Sequence, residues 1–256
     1  MVLTSTYIHI PGVSWKTERA LWSQGAWTWY DFLADPRRYR TRTIGAQRLE
    51  KALGHSLCKL EKGEHQYFRK SLPPREAWRA FPEFRDRLIY LDIETTGSRF
   101  ADVTVVGAWD GAQYHAFVKD ENLFEFPDFL SRQSVVVTFF GAGFDLPVLR
   151  KRFPTAVFDQ IHIDLCPVLR RIGLRGGLKS IERAMGIERT ERTRGLTGYD
   201  AVRLWRAAAE GSREAMDTLL EYNREDVRNL EPLMEHAYGV LRRTSLDAAA
   251  SEGVSR

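Results

Sequence analysis

Apolar side chains are spaced in one way before residue 85 of this chain and in another way after it. In the first stretch, YIHIPGVSWKTERALWSQGAWTWYDFL (7–33) predicts a Pro11-Gly12 turn, a short helix from Lys16 to Ser23, a turn at Gly25 and a second short helix. Ile44, Leu49, Leu53, Leu57 and Leu60 then recur near helical spacing, predicting helix within 44–70 that Pro73 and Pro74 close. The second stretch reads as strands. RLIYLDIET and DVTVVGAWDG are short apolar runs, and AWDGAQYHAFV reads as a hairpin turning at Asp110-Gly111. A helix over 120–131 precedes SVVVTFF, a β-branched run of the kind found in strands buried on both faces. A helix from Phe144 to Lys151, a strand in VFDQIHI and several helices to residue 243 follow, and the tail over 244–256 is expected to be disordered. Hairpin strands followed by alternating strand and helix predict an α/β fold: a mixed β-sheet flanked by helices over 85–243, behind a small helical arm over 1–84.

Composition narrows the class. A chain of 256 residues with 43% hydrophobic and 28% charged positions suits a soluble globular protein, and no stretch approaches the roughly 18 apolar residues a membrane helix needs. The opening MVLTSTYIHIPG lacks a basic segment followed by an apolar one, so no signal peptide is read and the expected setting is cytoplasmic, without a membrane. Cys58 and Cys166 give neither zinc spacing nor a disulfide framework, and two buried reduced thiols are expected. The net charge of +4 is unevenly spread. Residues 1–89 hold 16 Lys and Arg against 9 Asp and Glu, so the arm is basic, which favours polyanions and nucleic acid first among them.

The strand YLDIETTG then ends in two acids. Leu88, Tyr90, Asp92 and Glu94 share one face of an extended segment, so a buried face finishes in paired carboxylates. They either project beyond the sheet into water or bind a hard cation, since a buried, unpaired carboxylate is costly. Asp145, in TFFGAGFDLPVL, falls in the first turn of the helix after SVVVTFF, where an acid also suits the helix dipole. Should that strand pair in parallel with the Asp92 strand, both carboxyl ends reach one edge. In LLEYNREDVRNLEPL, Tyr222 and Asp226 lie one helical turn apart on a face flanked by Leu219, Leu230 and Leu233; a structural hydrogen bond is the plain alternative there.

Taken together, DIETTG, GAGFD and YNRED, in this order, resemble the three motifs of the DEDD family of 3′-to-5′ exonucleases, which have a ribonuclease H-like fold. The Tyr-x-x-x-Asp form resembles the tyrosine subgroup; the histidine subgroup would place His where this chain has Glu221. FFGAGFDLPVL, IDLCPVLRRIGLRGGLKSIERAMGI and LPPREAWRAF extend the likeness to YprB-type ribonuclease H-like proteins. The resemblance implies two divalent cations, Mg2+ or Mn2+, held by Asp92, Glu94, Asp145 and Asp226. It implies that Tyr222 contacts the nucleophilic water, which it orients rather than deprotonates because a phenol has a pKa near 10. The implied reaction is phosphodiester hydrolysis from the 3′ end of single-stranded DNA or RNA, or of a 3′ overhang, with a helicase or repair factor as a possible partner. The rival readings are a non-catalytic nucleic-acid-binding scaffold and a ribonuclease H-type endonuclease.

Further substrate contacts are expected at Thr95 and Gly97 beside the first motif, at Phe144 beside the second, and at Lys179. Relatives often have Asn-Gly where this chain has Phe140-Gly141; Phe140 is expected to pack in the core, with stacking on a base as the alternative. Asp164 reads as an N-cap and Gly176-Gly177 as a turn. Residues 7–33 look like a helix-hairpin-helix whose Gly12 and Lys16 would meet a phosphate, although Ser14 replaces the usual second glycine and Trp15, Trp22, Trp27 and Trp29 could simply pack the arm. Arg37, Arg38 and Arg40 of DPRRYRTR are expected to grip a backbone.

Overall fold

The structure, a computed structural model, describes residues 2–97 and 102–253, the backbone alone beyond residue 245. It divides into two compact units, Met1–Asp86 with His236–Arg256, and Arg87–Glu235.

In the first unit, α1 (Trp15–Ser23) starts on the Ser14 hydroxyl, which accepts the Thr17 N–H, and α2 (Trp29–Ala34) starts on a capping box between Thr28 and Asp31. Among the described residues a 3-10 turn over Leu3–Ser5 and open turns precede Pro11-Gly12, and no α-helix leads into that bend as the helix-hairpin-helix expected over 7–33 would have it. Two of its four tryptophans pack instead. Trp22 and Trp29 are buried, and their indole N–H groups donate to the carbonyls of Ser5 (2.9 Å) and Thr6 (2.7 Å). The helix expected within 44–70 is two, α3 (Ala46–Glu61) and α4 (His65–Ser71), separated where Gly63 takes φ +65°. Both cysteines are free thiols, as expected, but neither is buried: Leu49, Leu53 and Ser56 form the buried stripe of α3, which leaves Cys58 exposed, and Cys166 is half-buried.

Arg79 organises this unit. Its side chain is 0% exposed and meets Glu18 Oε1 at 3.1 Å and Glu76 Oε2 at 2.9 Å, with the Trp15 ring 4.7 Å from its guanidinium carbon. Glu18 in turn accepts the N–H groups of Tyr7 (2.5 Å) and Ile8 (3.2 Å), so one buried charge network ties together the turns that precede α1. Removing one partner of such a network leaves uncompensated buried charge.

The second unit is built on a five-stranded mixed sheet. Its strands are β1 (Leu88–Thr95), β2 (Val103–Trp109), β3 (Tyr114–Val118), β4 (Val135–Thr138) and β5 (Ile161–Asp164), in the order β3-β2-β1-β4-β5. The first three form an antiparallel meander, while β4 and β5 continue in parallel, with Leu88, Ile89 and Tyr90 opposite Val135, Val136 and Val137. The β2–β3 turn falls at Asp110-Gly111 as its sequence demands: Gly111 has φ +92°, and Asp110 Oδ1 accepts the N–H groups of Ala112 and Gln113. Ile89, Leu91 and Ile93 point to one face, where α5 (Phe126–Ser131) supplies Phe126 and Leu130, and α6 (Asp145–Arg152) supplies Leu149, with Phe153 at its C-cap. Each such large side chain contributes about 1.5–3 kcal/mol by leaving water.

The chain continues through α7 (Leu165–Arg171), α8 (Leu178–Ala184), α9 (Gly198–Ala209) and α10 (Arg213–Gly253). Asp164 caps α7 by accepting the Cys166 N–H, as expected. The backbone expected to be disordered from 244 is helical as far as Gly253, for the run of alanines at 248–250 has the highest helix propensity; 254–256 lie outside the described residues. Among the described residues no helix is long and apolar enough to cross a membrane.

Replacing Arg79 by alanine is expected to destabilise the first unit by about 3–5 kcal/mol, because Glu18 and Glu76 lose their counter-ion in a buried site. Urea unfolding followed by tryptophan fluorescence would show it.

Candidate active site

Alternation along β1 gives Asp92 and Glu94 the sheet face opposite the Leu91 and Ile93 core. Across the ladder they stand beside Gly107 and Val105 of β2. This face is covered by helices: Val105 packs with Ala201 of α9 and with Leu219 and Tyr222 of α10. The helical spacing of Tyr222 and Asp226 then carries the second acid to the sheet, and carboxylate oxygens of Asp92, Glu94 and Asp226 lie within 4.8 Å of one another. Parallel pairing of β1 with β4 brings in the remaining acid. Asp145, in the first turn of α6, is buried and accepts the N–H of Ile93, between Asp92 and Glu94, at 3.2 Å.

Burial dominates the electrostatics, because a low-dielectric setting disfavours the charged form of a carboxyl. It pushes Glu94 up to about 8, with Asp226 adding repulsion, and Asp145 up to about 7. Asp92 is raised by burial and then by Asp145, Asp226 and Glu94, while the rise at Asp226 is opposed by Arg189 and Lys179. Glu94 Oε1 is buried with no hydrogen-bond partner. Oxygen-only donors, converging and mutually repelling, fit a hard divalent cation, so Asp92, Glu94 and Asp226 could hold one.

Tyr222 lies under this cluster with its phenol pKa held above the ordinary value by burial and then by Asp226. Its hydroxyl accepts a hydrogen bond from Lys179 Nζ, and that ammonium also sits 4.2 Å from the centre of the Tyr222 ring. Of the other expected contacts, Thr95 is buried and its hydroxyl accepts the Gly97 N–H at 3.3 Å. Gly97 has φ +71°, and a Cβ there would come 2.6 Å from Val202 of α9, so glycine is required by both conformation and space. Phe144 is 42% exposed at the N-cap of α6. Gly12, Lys16, Arg37, Arg38 and Arg40 are exposed members of the first unit.

Two residues of the site escaped the sequence reading. Arg189 donates to Glu182 Oε2 (2.8 Å) and Oε1 (2.5 Å) and to Asp226 Oδ1, placing one guanidinium between a structural acid and a site acid. Nothing in the sequence spacing flags it. Asn223, fully buried, donates to Asp92 Oδ2 at 3.1 Å while its Oδ1 accepts from the Tyr114 hydroxyl at 2.9 Å. A glycine inside a strand was the available signal: at Gly107 a Cβ would lie 1.6 Å from Asn223 Oδ1.

A 3-2-1-4-5 mixed sheet, with carboxylates gathered from β1, from the helix after β4 and from the last helix, defines a ribonuclease H-like architecture. The RNase_H superfamily model matches residues 89–238, more than half of the sequence, and the chain belongs to that superfamily. No curated protein matches. Among solved structures, the family B DNA polymerase from the hyperthermophilic archaeon Pyrobaculum calidifontis is similar, with a TM-score of 0.47 and 18% identity over 58% of this chain and 24% of the polymerase chain. The chain thus spans about a quarter of that polymerase's length.

Two outcomes are expected. Gly107→Ala should cost about 1–3 kcal/mol by overpacking against Asn223, measured by urea unfolding. In chelator, Glu94 and Asp145 are protonated in the folded chain to about pH 8 and about pH 7, above their unfolded values. Their contribution to stability is therefore complete near pH 4 and is lost as pH rises through 7 and 8. The Tm in chelator should fall over that window, Glu94→Gln should flatten the fall, and added Mn2+ should raise Tm most at its alkaline end.

Proposed function

We propose that the chain is a metal-dependent 3′-to-5′ exonuclease acting on single-stranded nucleic acid or 3′ overhangs, of the tyrosine subgroup of the DEDD family and YprB-like within it. The observation that carries this reading is the delivery of Tyr222 and Asp226, one turn apart on α10, to the sheet face of Asp92 and Glu94. Asp92, Glu94 and Asp226 would hold one divalent cation and Asp145 would contribute to a second, Mg2+ or Mn2+ in each case. When bound, such cations supply positive charge against the scissile phosphate and lower the pKa of water.

The chain's own groups divide the remaining work. Tyr222 keeps its proton because burial and then Asp226 raise its pKa; Lys179 donates to its oxygen, which leaves the hydroxyl proton to orient an attacking water. Lys179 brings a cation beside the site, suited to the anionic substrate. Asn223 fixes one oxygen of Asp92, and Arg189 fixes one oxygen of Asp226, so two of the acids are held in orientation. Exposed Lys16, Arg37, Arg38 and Arg40 give the first unit a surface suited to a nucleic-acid backbone, and a cytoplasmic setting with a helicase or repair partner belongs to the same reading.

The test uses DNA and RNA oligonucleotides labelled at either end, with Mn2+, with chelator, and with Asp145→Ala. A ladder shortening from the 3′ end is expected, absent in chelator and in the variant. Internal cuts would instead indicate an endonuclease, and binding without degradation a scaffold. Tyr222→Phe should slow hydrolysis on the order of 100-fold through loss of positioning while leaving Mn2+ affinity unchanged. Weakened Mn2+ binding in that variant would contradict the orienting role.

A further inference from the structure

Between β4 and α6 the chain makes a loop in which every fixed point serves one exposed ring. Phe140 has φ +65°, a left-handed conformation that a bulky residue adopts only when its surroundings hold it there. Asp164 is what holds it: Oδ1 accepts the Phe140 N–H at 2.9 Å and Oδ2 accepts the Ala142 N–H at 3.1 Å, while Oδ1 also caps α7 at Cys166. The Thr138 hydroxyl accepts the Gly141 N–H at 3.1 Å and pairs with His162 Nε2 at 2.9 Å. Gly141 must be glycine, as a Cβ would lie 2.2 Å from Thr138 Oγ1. At Gly143 a Cβ would meet Phe140 Cζ at 2.7 Å and Cε1 at 2.9 Å, so the ring lies against this glycine. The ring is therefore backed by the Gly143 main chain, yet it is 57% exposed, which overturns the expectation that it packs in the core. An apolar ring gains little stability from such a position, and the conformation works against folding.

We propose that Phe140 is a stacking platform for an unpaired nucleobase of the substrate strand, with Asp164 as the residue that positions it. The proposal rests on the nuclease reading of the neighbouring acids, because the loop that carries Phe140 runs directly into Asp145 and its exposed neighbour Phe144. A base offers a π-face whatever its identity, so the platform suits single strands without sequence preference and disfavours a paired 3′ end, whose bases are already stacked. The fixed backbone means that little ordering remains to be done when the base arrives.

Oligodeoxythymidylate labelled at its 5′ end, or carrying 2-aminopurine at its 3′ end, is titrated with the full chain in chelator, where hydrolysis is blocked. Phe140→Gly relieves the backbone and removes the ring, so it should keep or raise Tm while weakening binding about five- to a hundredfold. Phe140→Leu keeps apolar bulk but should lose the quenching of 2-aminopurine, and Phe140→Trp should retain both binding and quenching. Asp164→Asn should weaken binding in the parent but have no further effect on affinity in Phe140→Gly. If Phe140→Gly binds within twofold of the parent, or lowers Tm with affinity intact, the ring serves packing and the platform is wrong. If the parent chain binds no oligonucleotide at all, the nuclease reading falls and the platform with it.

Discussion

Two strands that run in parallel must leave the sheet by the same edge, and here β1 and β4 do so side by side. That geometry puts the end of β1, where its side chains turn from apolar to acidic, beside the start of α6 and Asp145. The meander of β2 and β3 fills the other side of β1 and leaves no further parallel edge there, so α9 and α10 cover the acidic face. Asp145 reaches the site through this one pairing, and the packing of α10 on the same sheet then adds Asp226, although no pair among Asp92, Asp145 and Asp226 is close in sequence. An antiparallel β4 would send Asp145 to the far end of the sheet.

The cost of gathering acids in this way is visible in their electrostatics. Glu94 and Asp145 are pushed toward neutral pH by burial, so the folded chain is under tension at physiological pH until positive charge arrives. Arg189 and Lys179 answer part of that tension from α8 and the segment following it, Arg189 through Asp226 and Lys179 through Tyr222. A cation bound among these acids would relieve the rest, and would tie the stability of the chain to the ions that its proposed chemistry requires.

The sheet was legible because β-branched runs and a well-marked Asp-Gly turn leave few alternatives, and the four acids because each sits at a fixed offset within a local element. Residues that hold the acids were harder to see. Asn223 lies beside Tyr222 in sequence, but its partners Tyr114 and Asp92 are brought to it only by the packing of α10 on the sheet. Arg189 comes from an irregular segment with no periodicity to read. In the first unit the apolar pattern gave α1 to within a residue, and α2, yet Pro11-Gly12 suggested a hairpin between helices where the described residues before it form only turns. A short motif constrains its own turn, and what comes before it is set by the buried Arg79 network.

Gly107 and Asn223 show how far such packing reaches. A strand residue with no side chain and an amide on the last helix occupy the same space, so neither position is free to drift alone. A side chain at 107 would push the amide at 223 aside, and with it the bond to Asp92 and the link to Tyr114. The cost falls unequally: a shorter residue at 223 leaves a gap beside Gly107, whereas a side chain at 107 meets the amide directly.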